Sequence, residues 1–349
     1  MPNVPLTAEE LRTMATTSGL DLVGAVPAGP SPTWGKYKAW LEAGYAGGMD
    51  YLAREDAVHR RQDPRHILPE IQTVLVVAAS YAGGPPPPLP PHHGRVSRYA
   101  WGEDYHRWML RRLKALVSRI ESRLSVPVKA RTYVDTGPVL ERAWAEAAGL
   151  GWTGKNTTLI HPALGSYIFL GVALLDVALP PTPRPTLPNC GTCTRCIEAC
   201  PTGALVAPGK LDARRCLSYL TIEHRGAIPR AYRRAMDTTV FGCDICQEVC
   251  PWNRRPLAAH QADPIPEHAT LYLPDLLTMD KTAFHARFRR TPIWRATPEG
   301  LARNAAVVLG NLGDPSARPH LKRAAESHPS ALVREHARWA LGQIETSGS

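Results

Sequence analysis

Cysteine is missing from most of the chain. The first 189 and the last 99 of the 349 residues contain none, and all eight cysteines lie between Cys190 and Cys250. Other absences narrow the reading. There is no run of about 18 apolar residues, so no membrane span is indicated. The opening MPNVPLTAEELRTMA is polar and lacks the basic-then-apolar pattern of a secretory signal, so a cytoplasmic protein is expected. That reducing compartment argues against eight cysteines forming four disulfides. Gly-x4-Gly-Lys-[Ser/Thr] is absent, as is a Gly-x-Gly-x-x-Gly after a strand, so neither a phosphate loop nor a Rossmann nicotinamide site is supported. What is present is an ordinary globular balance, 44% hydrophobic and 21% charged, with length for two or three domains. The formal charge of +10 suits an anionic partner, nucleic acid included.

The cysteines form two runs. The first is Cys190-x2-Cys193-x2-Cys196-x3-Cys200-Pro201, the bacterial ferredoxin spacing for a [4Fe–4S] cluster, whose fourth cysteine serves the other cluster of a pair. The second, Cys243-x2-Cys246-x3-Cys250-Pro251, is one thiol short, and Cys216 is the only one left to complete it. By that crossing rule one cluster takes Cys190, Cys193, Cys196 and Cys250, and the other takes Cys200, Cys216, Cys243 and Cys246. A zinc ribbon is the competing reading. Zinc calls for two separated pairs around a tetrahedral ion and has no use for three evenly spaced thiols followed by a fourth and a proline. Two clusters in one module make an electron wire, which needs something to feed.

The first half reads as mixed α/β. Apolar runs at Leu20 to Ala28, Thr73 to Tyr81, Lys129 to Thr136 and Tyr167 to Leu179 predict strands, and Ala8 to Ser18, Glu103 to Arg123 and Val139 to Ala148 predict helices. GGPPPPLPPHHG, Gly83 to Gly94, predicts a loop that enters neither helix nor sheet. A second proline-rich stretch, Pro180 to Pro188, marks a boundary. At the C-terminal end Gly300 to Leu312 resembles Leu332 to Ile344, with a break at Gly313-Asp314-Pro315, which predicts a stacked helical pair of the HEAT-like kind. The expected architecture is an α/β (α+β) domain over 1–180, a ferredoxin-like dicluster module over 181–260 and a HEAT-like helical unit over 261–349.

Candidate chemistry concentrates in YVDTGPVLERAWAEAAGLGWTGKNTTLIH, Tyr133 to His161. Asp135 stands at a strand end, with Pro138 placed to open a helix. It is either a general acid or base facing a crevice, or a helix cap. Gly151 to Asn156 is a glycine-bearing loop able to hold an anionic group. His106 lies in a helical pattern without a ligand partner at i+3 or i+4, which favours a surface or packed histidine over a metal ligand. Arg214, Arg215, Arg225, Arg230, Arg233, Arg234, Arg254 and Arg255, interleaved with Tyr219, Tyr232 and Trp252, suit either RNA phosphates and unstacked bases or a solvated face.

These residues also carry a resemblance. Arg98-Tyr99-Ala100-Trp101-Gly102-x-Asp104-Tyr105-His106, Val134-Asp135-Thr136-Gly137, Lys155-Asn156, Gly165-Ser166-Tyr167, CGTCTRCIEACPTGAL, Arg215-Cys216-x-Ser218-Tyr219-Leu220-Thr221, Gly242-Cys243-Asp244-x-Cys246-Gln247 and Arg303-Asn304-Ala305 are similar to epoxyqueuosine reductases, enzymes that modify tRNA. The resemblance runs over essentially the whole chain. It implies reduction of epoxyqueuosine to queuosine at the wobble position of the anticodon, with electrons passing from two [4Fe–4S] clusters to a cobalamin in the α/β domain. By motif match the cobalamin contacts would be Arg61, Ser97, Asp135, Lys155, Asn156, Leu159 and Leu170. Ser97 stands where some members have cysteine, and Asp-x-His-x-x-Gly is absent. Asp135 would be the proton donor, its pKa expected to be raised by burial against the corrin and the apolar strand end. Ile222, His224, Arg233 and Arg234 would meet the anticodon stem-loop, with the helical end extending that surface. An external electron donor, no membrane and a monomer are expected. A cobalamin-dependent reductive dehalogenase-like enzyme and a dicluster electron-transfer protein without catalysis of its own are the alternatives.

Overall fold

The computed structural model describes residues 6–254 and 267–347. Four strands form one antiparallel sheet in the order Leu22–Pro27, Thr73–Ser80, Ile168–Leu175, Ala130–Tyr133. The two central strands are covered on both faces, which is why each reads as an unbroken apolar run. Leu75, Val77 and Ala79 point to one side, against Leu11 and Ala15 of the helix Ala8–Thr17 and Met109, Leu113, Leu116 and Ile120 of the helix Tyr105–Leu124. Val74, Val76 and Ala78 point to the other, against Trp144 and Ala145 of the helix Glu141–Ala147. Each fully buried Leu or Val contributes on the order of 1.5–3 kcal/mol. Thr7 and Glu10 close a capping box at the start of the first helix.

Two expectations need correction. The proline-rich stretch does enter a sheet at its end: His93–Val96 is a strand, parallel to Thr239–Phe241 and antiparallel to Thr270–Tyr272. The prolines stop before His93, so no backbone donor is lost there. The helix after Asp135 begins at Glu141 rather than Pro138, because Leu140 is its N-terminal flank.

The cysteine-bearing segment is made of short helices and turns. It is stitched to the α/β layer by Gly165-Ser166: Asn253 Oδ1 accepts from the Ser166 N–H at 2.7 Å, and Ser166 Oγ donates to Gln247 Oε1 at 2.8 Å. Gly165 has φ +67°, and a Cβ there would lie 2.1 Å from Asn253 Oδ1, so only glycine allows this approach. At the C-terminal end Pro298–Leu312 packs against Ala331–Ser347, and a third helix the repeat did not announce, Arg318–Ser327, lies between them in sequence. Among the described residues no helix is long and apolar enough to cross a membrane.

Candidate active site

The eight cysteines are free thiols and line two cavities. One is bordered by Cys190, Cys193, Cys196 and Cys250 with Lys155, Asn156, Arg195 and Trp252. The other is bordered by Cys200, Cys216, Cys243 and Cys246 with Ser97, Tyr99, Asn156, Thr157 and Thr158. The first cavity thus takes three thiols of the first run and one of the second, and the other takes two of the second run, the last of the first and Cys216. Among the described residues no group of three or more His, Cys, Asp or Glu closes around a single ion position. The thiols surround spaces rather than points, which suits a cluster better than one zinc ion. Burial pushes the Cys243 thiol up to about 12 and Cys246 well above its ordinary value. Unfilled, these sites would hold protons; thiolates there need a strong positive charge beside them.

Lys155 is turned toward the first thiol run. Its Nζ donates to the carbonyls of Gly191 at 2.7 Å and Cys193 at 2.9 Å, propping the loop of the first thiol run. Asn156 is buried, its Nδ2 donating to the Cys246 carbonyl at 3.3 Å. Ser97 Oγ donates to the half-buried Asp244 Oδ1 at 2.6 Å, and the Arg98 N–H donates to Oδ2 at 2.6 Å. These contacts bind the second thiol run to the α/β half.

Asp135 lies at the other side of this junction. It caps no helix. Thr136 N–H closes onto the Val134 carbonyl at 2.6 Å, a three-residue turn that places Asp135 at φ +58°. Such a conformation is uncommon outside glycine and turns the side chain away from the backbone. Arg61, itself buried, donates to the Gly137 carbonyl at 3.4 Å and faces the Tyr37 ring at 5.7 Å, so it braces this turn. The Asp135 side chain keeps 62% of its surface open, with Tyr105, His106 and Glu141 beside it and Tyr99 within reach of its charge. Leu159 is buried, whereas Leu170 stays partly open on an otherwise buried strand.

The histidine passed over for want of a helical partner is central. His106 Nδ1 bonds Asp104 Oδ1 at 2.5 Å and Nε2 bonds Asp135 Oδ2 at 3.2 Å. Burial alone would lower its pKa, but the two carboxylates raise it to about 9, so both ring nitrogens donate at neutral pH. Within the protein alone the Asp135 carboxyl is shifted downward. Burial pushes it up, yet hydrogen bonds from His106 and Tyr105 outweigh that and hold the carboxyl below its usual range. Glu141 carries the upward shift instead, to about 8, through burial and the nearby Asp135 charge, while its Oε1 accepts the Asp135 N–H at 2.7 Å. Nothing local in the sequence pairs residues 106, 135 and 141.

The arginines divide. Arg233, expected at an RNA surface, is 2% exposed, with its guanidinium on Glu335 at 2.8 and 3.0 Å and on the Ile228 carbonyl at 2.9 Å. Ile222 is core. Neither can reach an RNA without unpacking. His224 Nε2 bonds the Ala227 carbonyl. Arg214 is paired with Asp212, and Arg225 is spent on backbone carbonyls. Arg230, Arg234 and Arg254 are exposed; Arg255 lies outside the described residues.

Three family models match this chain: epoxyqueuosine reductase QueG, DUF1730, over residues 61–136; 4Fe-4S double cluster binding domain over 189–253; and PBS lyase HEAT-like repeat over 301–327. The epoxyqueuosine reductase of Pseudomonas aeruginosa is 44% identical over 310 residues, 86% of this chain and 84% of that protein. A crystal structure of epoxyqueuosine reductase with a tRNA-Tyr epoxyqueuosine-modified stem loop is 31% identical, with a TM-score of 0.88 over 96% of this chain and 89% of that one. The Bacillus subtilis enzyme, solved with its catalytic aspartate loop swung out of the active site, is 30% identical, with a TM-score of 0.88 over 96% and 90%.

Proposed function

The chain belongs to the epoxyqueuosine reductase family and has its activity, the reduction of epoxyqueuosine in tRNA; we propose that two [4Fe–4S] clusters and a cobalamin serve that reaction and that His106 and Asp135 supply its proton. The observation that carries the proton assignment is the bridged triad Asp104–His106–Asp135, open at Asp135. A catalytic aspartate loop in the Bacillus subtilis relative supports placing the chemistry there.

The reaction removes an epoxide oxygen as water: two carbon–oxygen bonds break, a carbon–carbon double bond remains, and two electrons and two protons are consumed. When bound, the clusters supply single electrons and the cobalamin a redox-active cobalt. Ser97, Asn156, Asp135, Leu159 and Leu170 would hold the cobalamin. The fit rests on an open apolar position at Leu170 and an open carboxylate at Asp135, with Ser97 and Asn156 on the wall of the second thiol cavity. Lys155 would act at one remove, through the first thiol loop, and Arg61 through the Asp135 turn. The second thiol set shares its cavity with Ser97 and Asn156, so electrons leave there. The first set, beside the exposed Gly191, Thr192, Thr194 and Arg195, receives them.

The departing oxygen needs a proton at neutral pH. A low-pKa Asp135 alone would seldom carry one. The His106 imidazolium holds a proton 3.2 Å away and can pass it through Asp135 Oδ2, with Asp104 stabilising the ring. The cytoplasm is where tRNA substrate would be met. The deciding experiment is anaerobic reduction of epoxyqueuosine tRNA with and without added cobalamin, read by nucleoside mass spectrometry. Queuosine formed equally without cobalamin would overturn the cofactor assignment.

A further inference from the structure

Another group of side chains lies near Asp135 and has no part in the proton chemistry. Among the described residues four large apolar side chains are exposed, and two of them, Tyr51 at 41% and Trp294 at 44%, stand on either side of Arg295 in space or in sequence. The Arg295 guanidinium lies 5.3 Å from the Tyr51 ring centroid. Glu223 grips it fork to fork, Nε to Oε1 at 2.8 Å and an Nη to Oε2 at 3.2 Å, which fixes the plane of the guanidinium. Asp135 is near enough for its charge to act on both Tyr51 and Arg295.

This rim is held from behind. Arg225 donates to the carbonyls of Ile222, Arg295 and Ala296 at 3.0, 2.9 and 3.3 Å. Arg303, fully buried, donates to the carbonyls of Leu220, His224 and Gly226 at 2.7, 2.8 and 2.7 Å. Asn304 donates to those of Thr221 and Val240 at 2.8 and 3.0 Å. The backbone on both sides of Glu223 is therefore clamped by buried donors. On the other flank, the segment before Tyr51 is tied down by the Gly48 N–H on the Tyr219 hydroxyl at 2.7 Å.

A phosphate is a poor match for this rim, because Glu223 already neutralises Arg295. An open phenol ring beside a neutralised, planar guanidinium suits an uncharged flat heterocycle, the surface that unstacked RNA bases use. We propose that Tyr51 and Arg295, held by Glu223, form a preformed stacking platform for the unpaired nucleobase that bears the epoxide-carrying arm, so that the arm reaches down to Asp135. This rests on tRNA being the substrate.

The test is binding of an epoxyqueuosine-bearing anticodon stem-loop to the holoprotein across a salt series. Tyr51→Ala should raise Kd roughly 5- to 150-fold, the range for losing one base stack, and Tyr51→Phe should stay within about twofold of the parent because the ring is kept. Arg295→Lys retains the charge pair with Glu223 but loses the plane, and should weaken binding several-fold. In all three the slope of log Kd against log salt should be unchanged, since no phosphate contact is lost. A stem-loop carrying 2-aminopurine at the wobble position should be quenched on binding by the parent protein and not by Tyr51→Ala. Parent-like Kd in Tyr51→Ala, or a salt slope reduced by about one, would overturn the platform. If the parent itself fails to prefer this stem-loop over an unrelated hairpin, the substrate reading falls and the platform with it.

Discussion

The two thiol runs end in the same Cys-x3-Cys-Pro signature, yet the two sets they make up have different surroundings. Cys190, Cys193, Cys196 and Cys250 sit behind an exposed loop, 191–195, with Arg195 unpaired among the described residues. Cys200, Cys216, Cys243 and Cys246 share a cavity with the buried Leu217 and Gln247 and with the α/β half. Equivalent motifs therefore do not imply equivalent roles. On the proposed reading, position in the fold decides which set meets an outside donor and which meets the α/β half.

The sharpest way to break this comparison is to remove one set. Cys216→Ser should lower bound iron from about eight to about four per chain and abolish queuosine formation, while dithionite still bleaches the remaining cluster. Full iron with full turnover would show that Cys216 is no ligand. A step further in, Asp135→Asn should cost roughly 10²- to 10⁴-fold in turnover and leave iron content and cluster reduction untouched; a parent-like rate would remove it from the proton path. At the outer set, Arg195→Glu should slow reduction by an acidic protein donor several-fold at low salt and leave reduction by dithionite unchanged. Equal slowing with both reductants would place the port elsewhere.

Smaller effects test Glu141 and the arginines. Glu141 titrates near 8 in the folded chain against 4.5 ordinarily. A raised carboxyl pKa gives stability that is full below the unfolded value and is lost as pH rises through the folded one. Parent Tm should therefore fall between about pH 4.5 and 8 more steeply than that of Glu141→Gln, by thermal melts in parallel buffers; parallel curves would discount the shift. The open-versus-enclosed contrast also runs through two adjacent arginines. Arg233→Ala should lower stability by about 1–3 kcal/mol, because it strips buried acceptors of their donor. Arg234→Ala should leave Tm alone and flatten the salt dependence of tRNA binding by about one unit of slope. The reverse pattern would mean that Arg233 faces the RNA after all.

Much of the frame was legible in the chain because its signals are local. The central strands Thr73–Ser80 and Ile168–Leu175 are apolar throughout since both their faces are covered, and the cysteine spacing is itself a ligand pattern. The site was legible only in part. Asp135 was found as a strand-end acid, but its partner His106 lies 29 residues away, and the helical spacing rule used to discount His106 looks only one turn ahead. Arg233 sits in a basic run that reads as a surface, and its burial depends on Glu335, 102 residues later. Tyr51, Glu223 and Arg295 come from three separated stretches, none of which carries a motif. Long-range pairing, not residue type, is what the linear pattern withholds.

The small sheet built on His93–Val96 has a mechanical consequence. Its three strands come from the α/β half, from between Cys216 and Cys243, and from the segment ahead of the helical repeat. A fragment ended near residue 180 would keep the middle strand and lose both neighbours, exposing a bare hydrogen-bonding edge on each side. Modules that share a sheet in this way are expected to melt together, and calorimetry should record one event rather than three.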